Sequence, residues 1–378
     1  MGKRSSKGPE RSIKRSPKRT PVRSPAKRDS SQPKIFKDVL REYEAAMTKD
    51  GLVEVLTLAD EGCLSNVPLH ISTQSVELDR LLNGQGIPCG RCTEIFGPPH
   101  IGKSTLLDHM FASVQKIGGV GILIDSEAAR DRNYSRSIGV DTKRLKYLKF
   151  GRDELHVENI LTKILETVEF WTANSPDVPI VIGWDALGGT ATRDELEGRL
   201  EKNERPAMAA KVLRTACRQL PGKLGNTKIA LVVCNHEYEN IKMGFMASKV
   251  GKKRETYGGE AIRHLSTIRL QLFPAGWIKR ADGAILGFEV GAKLVKNRLG
   301  VPWGEVRVAL LAGIGIDNVW SVYQRLTEAK LITVAGGWAA INLDGKVIKF
   351  QGWSGLAAKC QEDATLFPRL VSVYQSLG

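Results

Sequence analysis

Large apolar side chains are nearly missing from the first 33 residues, which hold eleven Lys and Arg against only Glu10 and Asp29. A segment with so little to bury is expected to stay unfolded as a basic arm, and its repeated Ser16-Pro17, Thr20-Pro21 and Ser24-Pro25 steps add no core. Nowhere does the chain approach the roughly 18 consecutive apolar residues of a membrane-crossing helix, and its N-terminus is charged where a secretory leader has an apolar centre. The expectation is a soluble, intracellular protein. Cysteine is sparse: there are six, scattered except for Cys89 and Cys92, whose C-x-x-C spacing has no second Cys pair or His pair downstream. That argues against a disulfide framework, favours buried thiols over a zinc site, and implies a reducing compartment.

The net charge of +15 is mostly the arm's, because eleven cations less two acids give +9 over residues 1–33 and leave +6 for the rest. The arm reads as a nucleic-acid tether or an address for localisation, with a solubilising tail as the plainer alternative. After it, Ile35, Phe36, Val39, Leu40, Tyr43, Ala46 and Met47 recur at helical spacing. Gly51 ends this amphipathic helix, and a linker runs through Asn66-Val67-Pro68. Such a helix packs on its own domain or docks on a neighbouring one. From about residue 68 to 310, apolar runs alternate with helix-spaced segments: Cys92–Phe96, Lys103–Gln115, Val120–Ile124, Leu155–Trp171, Ile180–Trp184, Met208–Leu220, Ile229–Cys234 and Thr267–Leu272. The alternation predicts an α/β core with a mostly parallel sheet flanked by helices. Past Gly313, a helix over Val319–Ala329, a Gly336-Gly337-Trp338 turn with strand-like flanks and a last helical stretch predict a small C-terminal α/β domain. The expected division is therefore 1–33 arm, 34–67 N-terminal helix and linker with a contact between protomers, 68–312 core and 313–378 C-terminal domain.

Gly97-Pro98-Pro99-His100-Ile101-Gly102-Lys103-Ser104 satisfies G-x-x-x-x-G-K-[ST], with the strand Thr93–Phe96 before it and a helical run from Thr105 after it. Its glycines let backbone N–H groups turn inward around phosphates, Lys103 brings a charge to the β and γ phosphates, and the Ser104 hydroxyl is placed as a Mg²⁺ ligand at a helix N-terminus. ATP and Mg²⁺ are the cofactors expected of a phosphate-loop ATPase core. The metal also needs an acid at the end of a neighbouring strand, and Asp185 follows Ile180–Trp184. Hydrolysis needs a carboxylate to polarise water, and Glu127 stands just past the strand ending Ile122-Leu123-Ile124.

Several collinear motifs accompany the loop. They are Ile71-Ser72-Thr73-x-Ser75-x-x-Leu78-Asp79, Gly86-Ile87-Pro88-x-Gly90-Arg91, Ile124-Asp125-x-Glu127, Ile138-Gly139-Val140-Asp141 and Val295-Lys296-Asn297-Arg298. In this order and spacing, the stretch 68–310 resembles the bacterial RecA recombinase family, more weakly to about 345. The resemblance implies a RecA-like fold, with Thr105 in the nucleotide loop, Asp131 and Tyr134 holding the adenine, Glu127 as catalytic glutamate and Asp185 orienting the metal. It further implies that Lys296 and Arg298 reach a neighbouring protomer's nucleotide, as an arginine finger does. Two segments are expected to carry DNA. The first, 197–208, holds Arg199, Lys202 and Arg205 and leads into a helix with Lys211, Arg214 and Arg218. The second, 238–257, holds Ile241, Lys242, Met243, Phe245, Lys249, Lys252, Lys253 and Arg254 and closes on Gly258-Gly259. Cations there neutralise phosphates while an apolar side chain enters between bases.

Departures from the bacterial pattern are visible too. His236 stands where bacterial members have a Gln that senses the γ phosphate; here the chain is similar to phage UvsX-type recombinases. The second DNA segment is longer, and His264 replaces an interface aromatic. The expected function is ATP-dependent homologous pairing and strand exchange by a helical homo-oligomer on single-stranded DNA, with duplex DNA as second substrate. A single-strand-binding protein and a loader are expected partners, and the place of action is on DNA in a bacterial cell, phage-infected or not. A ring-forming helicase-type motor and a low-turnover paralogue that modulates filaments remain alternatives at this point.

Overall fold

The computed structural model describes residues 34–197, 206–239, 254–280 and 282–377. The chain divides into two compact units, one up to Thr57 and the other from Leu58. In the first, α1 (Lys34–Thr48) carries Val39, Tyr43 and Met47 along one side, all exposed.

The second unit opens with β1 (His70–Ile71), α2 (Val76–Leu81) and β2 (Ile87–Pro88), the two short strands pairing antiparallel. The chain then alternates: β3 (Cys92–Gly97), α3 (Lys103–Lys116), β4 (Val120–Asp125), α4 (Arg132–Ile138), β5 (Lys146–Tyr147), α5 (Val157–Asn174), β6 (Ile180–Asp185), α6 (Arg193–Glu197) and α7 (Pro206–Leu224). It continues with β7 (Ile229–Glu239), β8 (Arg254–Thr256), α8 (Gly259–Leu265), β9 (Ile268–Lys279), β10 (Ile285–Asn297), β11 (Glu305–Leu311) and β12 (Gly315–Asp317). One sheet gathers the strands in the order β12-β11-β10-β9-β3-β7-β6-β4-β5, with β8 attached to β7. From β9 to β5 every neighbour is parallel, while β10, β11 and β12 extend one edge antiparallel.

The parallel strands β4 and β6 and the first part of β7 are apolar at nearly every position because both of their faces are covered. Ile180, Ile182, Trp184, Leu231 and Val233 pack with Ile160 and Ile164 of α5 and Leu213 and Leu220 of α7. The alternate residues Val181, Ala230 and Val232 pack on the other face with Leu107, Met110 and Phe111 of α3. Gly183 lets α3 come this close, since a Cβ there would stand 2.7 Å from both Leu107 Cδ1 and Phe111 Cζ. The main sheet runs on through β12 to Asp317, past the division expected at 312. Beyond it, α9 (Asn318–Glu328), β13 (Ile332–Ala335), β14 (Trp338–Leu343), β15 (Lys346–Phe350), α10 (Gly352–Glu362) and α11 (Leu366–Gln375) enclose a core of their own around Leu326, Ile341, Leu356 and Leu370. Arg80 on α2 ties that core back, its Nε donating to Tyr374 Oη at 2.9 Å. Among the described residues, no helix is long and apolar enough to cross a membrane.

His109 fixes α3 against the antiparallel edge. Its Nε2 accepts from the Ile316 N–H at 2.9 Å and its Nδ1 faces Gln74 Oε1 at 3.3 Å, so the ring is a neutral Nδ1–H tautomer. Burial, aided by Lys116, lowers its pKa from 6.5 to about 4. The folded protein therefore binds fewer protons than the unfolded chain between those values, and stability is lost as the pH falls through that window. Between pH 7 and 5 we expect His109 to cost about 2 kcal/mol, measured as the difference in urea stability between wild type and His109→Gln at the two pH values. Parallel losses in both proteins would contradict this.

Candidate active site

The carboxyl ends of β3, β4, β6 and β7 lie side by side, where open α/β sheets place their ligands. Register brings Gly97 opposite His236 and Asp125 opposite Asp185. The phosphate loop joins β3 to α3. Gly102 caps α3 at φ +95, a left-handed conformation that favours glycine, and a Cβ on it would stand 2.2 Å from Leu310 Cδ1, which would have to move. Lys103 is buried, its Nζ donating to Gly97 O at 3.2 Å and Pro98 O at 2.9 Å. Burial lowers its pKa, opposed by negative groups that include Glu127 and Asp185. Ser104 is exposed on the next position of α3 and lines the cleft.

Asp125 shapes the turn after β4 by accepting from the N–H of Glu127 at 3.2 Å and of Ala128 at 2.9 Å. That turn sends Glu127 across to His236, whose Nε2–H donates to Glu127 Oε1. The pair packs on Gly188 and Gly189. A Cβ on Gly188 would be 2.9 Å from His236 Cδ2 and one on Gly189 3.1 Å from Glu127 Cγ. Asp131 caps α4 by accepting from Tyr134 N at 2.8 Å, and Tyr134 Oη meets Thr105 Oγ1 at 3.2 Å. The cleft around these residues measures about 640 Å³, and its far wall is apolar: Trp277, Ile285, Leu286, Phe288, Leu310 and Ala312. Its volume falls in the range of small-molecule sites. The buried Lys103 beside an anion-binding helix N-terminus and the exposed Ser104 hydroxyl line the cleft, and with the strand-end Asp185, held by the cleft residue Arg130, they fit a triphosphate with its metal ion.

Sequence reasoning missed a buried cluster here. Arg130 NH2 donates to Asp185 Oδ2 at 2.8 Å and Arg130 NH1 to Asp108 Oδ1, while Asp108 Oδ2 accepts from Ser135 Oγ at 2.8 Å. Burial pushes the Asp108 carboxyl up against the pull of Arg130. The one available signal was an acid among buried residues of α3, close to Leu107, Met110 and Phe111. A second missed network is Glu94, which accepts from Arg269 Nε at 2.5 Å and Asn235 Nδ2 at 2.9 Å. Arg269 goes on to Thr256 Oγ1 at 3.1 Å and Asn235 to Tyr257 O at 2.9 Å, joining the phosphate-loop strand to the return of the second segment expected to carry DNA.

Lys296 and Arg298 stand elsewhere. Arg298 N donates to Thr267 O and Thr267 N to Cys92 O, which puts these cations at the amino end of β3, the phosphate loop being at its carboxyl end. The six residues of β3 between them span roughly 17 to 20 Å at strand rise. Lys296 Nζ donates to Arg263 O, and its pKa is lowered to about 8 by burial first and then by Arg298 and Arg269. Arg298 is exposed.

Of the expected DNA residues, Arg199, Lys202, Arg205, Ile241, Lys242, Met243, Phe245, Lys249, Lys252 and Lys253 lie outside the described residues. Arg214 and Arg218 are exposed on α7, Lys211 stands on the same helix, and Gly258 (φ +83) and Gly259 (φ +55) open α8. The second segment is shorter as a loop than 238–257. β7 continues past Cys234 to Glu239 and pairs antiparallel with β8, Glu237 opposite Thr256 and Glu239 opposite Arg254, because a strand leaving the sheet must still satisfy its backbone groups. Arg254 is thus a strand residue and His236 lies within a strand. Cys89 and Cys92 are both buried, and burial pushes the Cys89 thiol up to about 12.

Residues 34–317 match the family described as the RecA N-terminal domain. Similar curated proteins include Protein RecA of Cytophaga hutchinsonii, 31% identical over 284 residues that make up 75% of this chain and 75% of that one. Protein RecA of Nitratidesulfovibrio vulgaris (strain DP4) is 30% identical over 320 residues, covering 84% of this chain and 83% of that one. Protein RecA of Aquifex pyrophilus is 32% identical over 270 residues, covering 71% and 72%.

Proposed function

Since this chain belongs to the RecA family, whose members are DNA-dependent ATPases of recombination and repair, we propose that it forms a helical filament on single-stranded DNA and catalyses homologous pairing and strand exchange. One observation carries the reading. Lys103, Glu127 and His236 stand at one end of β3 and Lys296 and Arg298 at the other, too far apart to share one nucleotide within a chain, which supports a site shared between neighbouring protomers. Head-to-tail contact completes the site at each seam, and such contacts build filaments or rings.

In this reading the loop 97–105 cradles the triphosphate, Asp131 and Tyr134 hold the base, and Ser104 with Asp185 at the end of β6 would hold Mg²⁺. Bound there, the metal ion would neutralise charge developing on the phosphates. Glu127 takes the proton of the attacking water, and His236 orients Glu127 and responds to the γ phosphate. The network from Asn235 and Glu94 through Arg269 to Thr256 supports coupling of that response to the second DNA segment. The cations of both segments, Arg218 and Arg254 among them, then hold DNA through phosphates, and base pairing supplies sequence recognition. The roles of 1–33, of 34–67, of the core, whose sheet runs on to Asp317, and of the C-terminal domain beyond it, the phage-type kinship suggested by His236, and a single-strand-binding protein and loader as partners belong to the same proposal.

The test is negative-stain microscopy with ATP and single-stranded DNA, paired with a strand-exchange assay on the same sample. Helical filaments with exchange are expected. Closed hexameric rings that unwind a duplex, or DNA binding without turnover, would overturn the reading.

A further inference from the structure

Resting on the reading of Asp185 as the metal-orienting carboxylate, the geometry points to Arg130 as a positioning residue that competes with the divalent cation for Asp185, and to Asp108 as the carboxylate that retains the guanidinium when the cation prevails. Arg130 keeps 10% of its side chain exposed, Asp108 2% and Asp185 6%, so little water intervenes and the three charges act on one another directly. The guanidinium bridges the two carboxylates with one terminal nitrogen each, NH2 to Asp185 at 2.8 Å and NH1 to Asp108. Its Nε has no partner among the described residues, so the side chain is held only by its tip and by the Phe111 ring 5.8 Å away. Asp108 is separately anchored by Ser135 Oγ at 2.8 Å.

A dication on Asp185 meets a resident positive charge already donating to the same carboxylate. Arg130 must give up that bond, and Asp108 is the acceptor that lets it do so without leaving a buried cation unpaired. Stability alone does not account for the cluster, because apolar residues of similar volume commonly replace a buried ion triad at no loss. Its place on the wall of the cleft, with Asp108, Arg130 and the loop lysine lining one space, does. The consequence is a metal site that is weak by itself and is filled chiefly by metal arriving with phosphate.

The experiment is calorimetric titration of ADP into the full chain, once with Mg²⁺ and once with a chelator. The ratio of the two dissociation constants is the metal enhancement. In Asp108→Leu/Arg130→Leu, Asp185 has no resident cation and the enhancement rises about tenfold or more, the equivalent of one lost ion pair. In Asp108→Asn, Arg130 is left to Asp185 alone and the enhancement falls about threefold or more. Opposite shifts from two changes in one cluster are not what a purely structural role gives; if the double variant fails to fold, the fall in Asp108→Asn stands as the test. Enhancements within about twofold of wild type, or shifts in the same direction, overturn the inference. A wild-type chain with no saturable ADP binding in either condition overturns the nucleotide-site reading and this inference with it.

Discussion

Replacing Lys103 with alanine should weaken ATP binding by at least about 10²-fold, the cost of truncating one partner of a buried charge pair, and abolish strand exchange. Lys103 stands at the first position of α3, where its ammonium adds to the positive end of the helix and to the loop N–H groups. Its burial already works against the charge, which only a strongly anionic ligand repays. The same argument predicts little change in the stability of the nucleotide-free protein, within about 1 kcal/mol, since removing a desolvated ammonium offsets its two hydrogen bonds to Gly97 O and Pro98 O. Equilibrium binding of ADP and ATP, with urea unfolding as control, checks both parts. A variant that binds normally, or one that simply unfolds, would contradict the role given to this residue.

The features that can be read from the sequence are local ones. The phosphate loop is contiguous, and the parallel strands announce themselves as apolar runs because both faces are buried, as Ile180-Val181-Ile182 shows. Element ends are less legible. The helix expected from Leu155 begins at Val157 because His156 caps it, accepting from Asn159 N at 3.3 Å, a role histidine seldom advertises. The strand expected to stop at Cys234 runs to Glu239, since Asn235-His236-Glu237-Tyr238 carry no apolar signal and owe their pairing to a chain segment that returns at Arg254. The cluster of Arg130 with Asp108 and Asp185 joins residues 22 and 55 positions apart, and no pattern along the chain links them. Gly188 and Gly189 look like an ordinary turn until Glu127 and His236 are found packed on them.

The second large effect concerns the seam. In the proposed assembly, Lys296→Ala removes the half of the site that one subunit lends and Glu127→Ala the half that receives it, so each variant alone should lose nearly all DNA-dependent turnover. Lys296 is suited to lending, because burial and the neighbouring Arg298 and Arg269 lower its pKa to about 8 in the protomer, and a phosphate oxyanion is a partner that would raise it again. In an equal mixture, a seam is intact only where a subunit with Glu127 receives Lys296 from the other variant, which random assembly provides at about a quarter of the seams. The most direct measurement is therefore DNA-dependent ATP hydrolysis across mixing ratios of the two inactive proteins. Recovery that peaks near equal proportions is the expected result; flat, absent activity at every ratio would contradict a nucleotide held between neighbours.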